Sequence, residues 1–371
     1  ATFAAVAWAV QCPECLDNLA DHQRAAVAGA LKAIETGGRA LFFGLPLQPE
    51  NFRPAGFYAN TPELSRYFTA RRWYALADFR LKSEEETRRA LQLALLVGSD
   101  KTLHRLYAQL TRPAYAMVGP IDDPDVVQYW QLASKLAGGP FGDDAIPRII
   151  ADFRREAGKL PGPQINDQFL SPEQFAAREK ETKGMRVFAA SRVPSAVLFQ
   201  RTTEPGVRGR ALPSGLDVFA AGPLACEAGR RALKRMEPDP AKYDAVCRAE
   251  CGPLPDSLHG GAMRLLQLLQ EPLPQTAPPA LRTPAWHDKQ LATGLGAWAE
   301  ERHTWVLHTK PAGALGCAFE EPPGYVSPYP KFYRQLGQLA RRAADVLSRA
   351  TADPDEADLV DFLSRLEAAF T

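Results

Sequence analysis

The stretch from Ser83 to Gly98, SEEETRRALQLALLVG, restricts the fold more than any other part of the chain. Serine followed three residues later by glutamate is a capping box, and the apolar residues behind it recur at helical spacing until a glycine stops them. The same grammar repeats along the sequence. Residues 21–36 carry alanine, valine, leucine and isoleucine at that spacing and stop at Gly37-Gly38. Thr61-Pro62 opens a helix with a threonine cap and proline in the first turn. Asp100 starts another, which the Arg112-Pro113 pair is expected to break. Helical patterns also cover 123–136, 147–156, 226–236, 240–250, 260–270 and 286–308, and Ser171-Pro172-Glu173-Gln174 caps a short one. Asp122-Asp123 reads as a helix N-cap. Two amphipathic helices close the chain, the second opened by Asp353-Pro354.

β-like runs are confined to 185–189 and 196–200. The expected class is therefore mainly α, an irregular multi-helical body with long proline-rich loops and at most a few short strands. Glycine and proline gather at 158–168 and mark the best boundary, giving parts 1–160 and 161–371 of one continuous helical body. So few strands exclude a doubly wound nucleotide-binding sheet. Neither a glycine-rich phosphate loop nor a Gly-x-Ser-x-Gly elbow occurs.

With a formal charge of +1, nothing points to nucleic acid or an anionic membrane as a partner. No apolar run is long enough to span a bilayer. The cysteines are Cys12, Cys15, Cys226, Cys247, Cys251 and Cys317, an even number that suits an oxidising compartment. Cys12-Pro-Glu-Cys15 has the spacing of a redox pair or half a zinc site, and Cys247 and Cys251 lie one helical turn apart. Disulfides, a four-thiolate zinc site and free thiols all fit, so metal, cofactor and connectivity stay open.

The densest chemistry is AWAEERHTWVLH, residues 297–308. Glu300 and His303 are three apart and share a helical face, half of a carboxylate-bridged di-iron pattern without its second Glu-x-x-His. Arg302 lies between them in sequence and suits an anionic or carbonyl group. The alternative is a core helix with one polar face. Asp217, in LPSGLDVFAA, follows a turn among apolar residues and must be paired if buried, with Arg208, Arg210 or Arg302 as available partners. The candidate catalytic set is thus Glu300, Arg302, His303 and Asp217. The stiff segment 322–330 (PPGYVSPYP) is expected to lie across helices or line a pocket.

Four segments, FRPAGFY with ELSRYFTARRWY, RPAYAMVGPIDD, LPSGLDVFAA, and WHDKQLATGLGAWAEERH with PPGYVSPYPKFY, resemble in order the prokaryotic family called domain of unknown function 3160. The resemblance implies a mainly helical fold and an extracytoplasmic address, periplasmic or secreted, because members often carry secretion or lipoprotein signals. It also implies an N-terminal helical region ahead of the point that Ala1 matches, a region expected to be missing here. Ala55 and Phe57 stand where the family pattern has arginine and histidine, Thr304 where it has aspartate, and Ser195 where it has aspartate after proline. The apolar frame of Phe52, Tyr67, Phe68, Trp73, Leu216 and Trp298 is retained. These departures favour a non-catalytic extracytoplasmic subunit or scaffold with protein partners in a hetero- or homo-oligomer. The alternative is a secreted hydrolase or metalloenzyme using the Glu-x-Arg-His helix.

Overall fold

The structure is a computed structural model that describes residues 2–38, 47, 49–167, 178–204, 206–210, 212–309, 329–350 and 354–370. The expected short helix at 171–174, Cys317 and most of the 322–330 segment lie outside the described residues. The fold is predominantly helical, as expected, with one two-stranded antiparallel pairing. Among the described residues no helix is long and apolar enough to cross a membrane. The chain forms two compact units, one from Ala1–Thr111, Ile121–Ser191 and Val306–Pro311, the other from Arg112–Pro120, Arg192–Trp305 and Ala312–Thr371.

The first unit is built from α1 (Thr2–Gln11), α2 (Asp21–Thr36), α3 (Pro62–Leu76), α4 (Glu84–Ser99), the N-terminal part of α5 (Lys101–Val118), α6 (Val126–Ala137), α7 (Ile146–Ala157) and α8 (Arg178–Thr182). Strands β1 (Phe79–Arg80) and β2 (Gly184–Met185) pair Phe79 with Met185. The caps read from the sequence are present: Thr61 accepts from Leu64 N and Ser83 from Glu86 N. Buried Phe3, Val6, Val27, Trp73, Leu91, Tyr129, Phe153 and Met185 belong to one continuous core. Trp73 Nε1 donates to Phe3 O at 3.0 Å, so the indole pins α3 to α1 without leaving an orphaned donor.

Three expectations are corrected. Gly98 does not end α4, which runs to Ser99. A Cβ there would lie 2.1 Å from Trp130 Cγ, so this glycine serves the close approach of α6. The helix does not break at Pro113, which sits inside α5. Proline removes a single backbone donor there, a cost of roughly 3 kcal/mol that the packing of Tyr107, Ala114 and Val118 offsets. The cap of α6 is Asp125, which closes a capping box with Gln128, whereas Asp122 accepts from Gln164 N and Ile165 N, each at 3.0 Å.

Arg186 is the polar centre of this unit, 1% exposed. Its Nε lies 3.1 Å from Asp123 Oδ2, its Nη2 donates to Asp167 Oδ1 at 2.9 Å and its Nη1 to Ala75 O at 3.0 Å. Burial alone would lower its pKa, but Asp123 and Asp167 outweigh that and hold it well above the ordinary value.

The second unit holds α9 (Pro194–Thr202), α10 (Gly215–Ala220), α11 (Glu227–Met236), α12 (Pro240–Cys247), α13 (Leu258–Leu269), α14 (Pro284–Thr304), α15 (Pro330–Ala350) and α16 (Pro354–Phe370). The run 196–200, expected as β, is helical in α9. Ala196, Val197 and Leu198 are all buried there, so the helix lacks the one-sided pattern that betrays a surface helix. The run at 185–189 supplies only the single strand residue Met185.

Replacing Arg186 with methionine would take the guanidinium away from two buried carboxylates. Urea unfolding is expected to show a loss of about 3–5 kcal/mol. A loss under about 1 kcal/mol would mean the cluster is hydrated rather than sealed.

Candidate functional site

Helix α14 is capped by Thr283 with Pro284 behind it, and it buries Trp298. The four polar residues near its end fan out around the axis at roughly 100° each. Glu300 and His303 are exposed. Glu301 turns inward: its Oε1 accepts from Trp305 Nε1 at 2.7 Å and lies 2.9 Å from Nδ1 of His259, a histidine 4% exposed in the first turn of α13. Arg302 lies over aromatics, its Cζ 4.9 Å from the Phe199 ring centre and 5.7 Å from that of Trp298. Its Nη1 has no hydrogen-bond partner among the described residues, and burial lowers its pKa.

Asp217 is 0% exposed and fully engaged. Arg210 grips it through two bonds of 2.7 Å, and Oδ2 also accepts from Thr202 Oγ1 and Ser214 N. Of the three arginines that the sequence offered, Arg210 is the partner. The side chain is therefore a structural clamp between α9 and α10, while Glu300 and His303 lie on exposed turns of α14. Sequence reasoning missed Glu301 and His259, because which face of α14 packs inward depends on α13.

Cys12 and Cys15 form a disulfide, and Cys226, Cys247 and Cys251 are free thiols. Burial pushes Cys251 up to about 11 and also raises Cys226, which caps α11. Among the described residues, Cys12, Glu14 and Cys15 are the group whose ligand atoms lie close enough to hold a metal, within 4.8 Å of one another. The disulfide occupies both sulfurs, so metal binding there would require prior reduction.

A second cluster lies in the first unit. Helix α3 presents Tyr67, Phe68, Arg71 and Arg72, and the segment 306–309 lies against it: Arg72 donates to Val306 O and, at 3.3 Å, to Thr309 O. Burial lowers the Arg72 pKa to about 10, with Asp167 opposing and neighbouring Arg71 adding to the fall. Burial, reinforced by Arg71 and Arg72, pushes His308 down from 6.5 to about 3, so its imidazole is neutral at ordinary pH. Tyr58, stacked on Tyr67 at 6.2 Å between ring centres, is pushed up to about 12, chiefly by burial. Ala55 and Phe57, where the resemblance implies arginine and histidine, shortly precede this tyrosine in the chain.

Beside the cluster opens a cavity of about 290 Å³ with Trp8, Tyr67, Arg71, Tyr74, Leu110 and Phe188 in its wall. Arg71 closes one side, its Cζ 4.3 Å from the Phe188 ring centre and its Nη1 donating to Phe188 O at 3.1 Å. The apolar surface continues along α5, where Leu103, Leu106 and Leu110 are 38%, 45% and 55% exposed. Their spacing puts them beside the buried Tyr107, Thr111 and Ala114, so the apolar arc of α5 is wider than the core covers. Helix α5 carries Lys101, Arg105 and Arg112 and no acidic residue. Aromatic walls, one guanidinium and a leucine row together make a largely apolar surface with a cationic edge.

The chain matches a family described as protein of unknown function (DUF3160) over residues 14–369, and it belongs to that family. No curated protein and no solved structure matches it.

His308 supplies a test of the cluster. The unfolded chain binds a proton at this residue that the fold refuses between about pH 6.5 and about pH 3. Stability is thus unaffected by it above pH 6.5 and falls, by roughly 1.4 kcal/mol per unit at most, as pH drops through that window. His308→Gln should flatten the acid limb of the stability curve relative to the parent. Parallel acid limbs would show an imidazole that protonates freely in the fold.

Proposed function

We propose that the chain is a non-catalytic, extracytoplasmic helical subunit or scaffold of a larger protein assembly. The observation that carries this reading is the leucine row of α5 running into the aromatic cavity of the first unit, an apolar face that the fold leaves uncovered. The buried polar groups already have structural work: Asp217 holds Arg210, Glu301 holds His259 and Trp305, and Arg186 holds Asp123 and Asp167. The replacement of polar by apolar residues at 55 and 57, beside Tyr58, fits a surface that docks rather than reacts. The basic character of α5 makes an acidic amphipathic helix the best-matched partner element. The Cys12–Cys15 disulfide supports an address outside the reducing cytosol. The hydrolase or metalloenzyme reading draws less support, because Asp217 is consumed by Arg210.

The assembly purified from its source is the material for the test. Leu103→Glu, Leu106→Glu and Leu110→Glu together should weaken association at least about tenfold, read by size exclusion with light scattering, while the thermal transition stays near that of the parent. A parent chain that already runs at single-chain mass at micromolar concentration would overturn the proposal.

A further inference from the structure

The Cys12–Cys15 disulfide is a poor candidate for a structural staple. A disulfide stabilises a fold mainly by removing freedom from the unfolded chain, and that gain shrinks with the loop it closes. Here the two cysteines are three apart in sequence. The turn they occupy is already closed by other bonds: Cys12 N donates to Trp8 O at 2.8 Å, Cys15 N to Cys12 O at 3.0 Å and Leu19 N to Leu16 O at 3.1 Å. The Arg24 guanidinium adds bonds to the carbonyls of Leu16, Asp17 and Leu19. Pro13 and Glu14, between the cysteines, are exposed, and both cysteines are half-buried rather than sealed.

The turn that the disulfide closes also borders a cavity. A groove of about 440 Å³ opens beside it, and Pro13 and Leu16 form part of its wall together with Val10, Leu31, Ile34 and Phe52. An accessible sulfur pair that holds no fold together, set at the edge of an apolar groove, has the form of an exchange site for cysteine-bearing protein segments. This site lies apart from the α5 face and does not rest on the docking proposal.

We propose that Cys12 and Cys15 carry out thiol–disulfide exchange with protein dithiols whose cysteines are flanked by apolar side chains, the flanks seating in the groove. A thiolate of the partner attacks one sulfur of the pair. The intramolecular S–S bond breaks, a mixed disulfide forms, and the displaced cysteine leaves as a thiolate that takes a proton from water. The second thiolate of the partner then attacks the mixed disulfide. The partner loses two electrons and becomes a disulfide, while Cys12 and Cys15 become two thiols. The carboxylates of Glu14 and Asp17 beside the pair disfavour small anionic thiols such as glutathione.

The test uses the full chain and two synthetic dithiol peptides, one with leucines around its cysteines and one with serines in their place. Alkylation followed by mass spectrometry reads the rate at which Cys12–Cys15 opens. The leucine peptide should react at least about tenfold faster than the serine peptide. A chain in which either Cys12 or Cys15 is changed to serine, given the leucine peptide in its oxidised, disulfide form, should trap it as a mixed disulfide, the remaining cysteine attacking one peptide sulfur and the other leaving as a thiolate. The Cys12→Ser/Cys15→Ser double variant should trap none on the peptide that spans this turn and should melt within a few degrees of the parent. The proposal is overturned if the pair opens only after denaturation, if the two peptides react at equal rates, or if neither single variant traps peptide.

Discussion

A guanidinium taken out of water must find carboxylates and carbonyls in fixed places, and Arg186 imposes that demand on the whole first unit. Asp123 comes from the loop before α6, Asp167 from the segment after α7, and Ala75 O from the last turn of α3. The Arg186 backbone N–H donates to Pro124 O at 3.0 Å, so the same residue also fixes the chain entering the α6 cap. Its neighbour Met185 pairs with Phe79 in the short ribbon. Removing the side chain would loosen these segments together, because both aspartates would lose a buried cationic partner.

The end of α3 fixed by Arg186 belongs to the helix that carries the cationic cluster. With α3 held, Arg71 and Arg72 cannot swing out to water. Carbonyl oxygens at 188, 306 and 309 and the faces of Phe188 and Phe68 solvate them instead. Burial, reinforced by the field of these two cations, keeps His308 neutral. A cluster built this way is expensive to move, because each cation would have to exchange fixed carbonyls and ring faces for water. It does give the neighbouring aromatic cavity a guanidinium wall next to apolar surface.

Much of the fold was legible because helix caps are local chemistry. Thr61 and Ser83 cap where a hydroxyl precedes helical spacing, and Ser214 and Thr283, read from the sequence as turn and loop, cap by the same chemistry. What escaped was set by contacts distant in sequence. Helix α9 is buried on several sides and so lost its period, and Gly98 looked like a stop because Trp130, which needs the space, is thirty-odd residues away. In the site, the residue types in AWAEERH were plain, but one residue of rotation separates Glu300 from Glu301, and that rotation is decided by His259 on another helix. The arginine pair on α3 was visible as sequence, yet only the return of 306–309 makes it a cluster. Asp217 was legible as a buried carboxylate needing an arginine, and the choice of Arg210 followed from the turn between α9 and α10.

Arg186 with Asp123 and Asp167, and Arg210 with Asp217, are committed to one another, and leucines lie outside on α5; the proposed role is to be held by another protein. The most direct measurement is a native mass spectrum of material from its source, set beside a denatured, non-reduced one. The account predicts a multi-chain mass that falls to single chains without shedding a metal or small cofactor. A single-chain mass that sheds a stoichiometric small molecule on denaturation would contradict it.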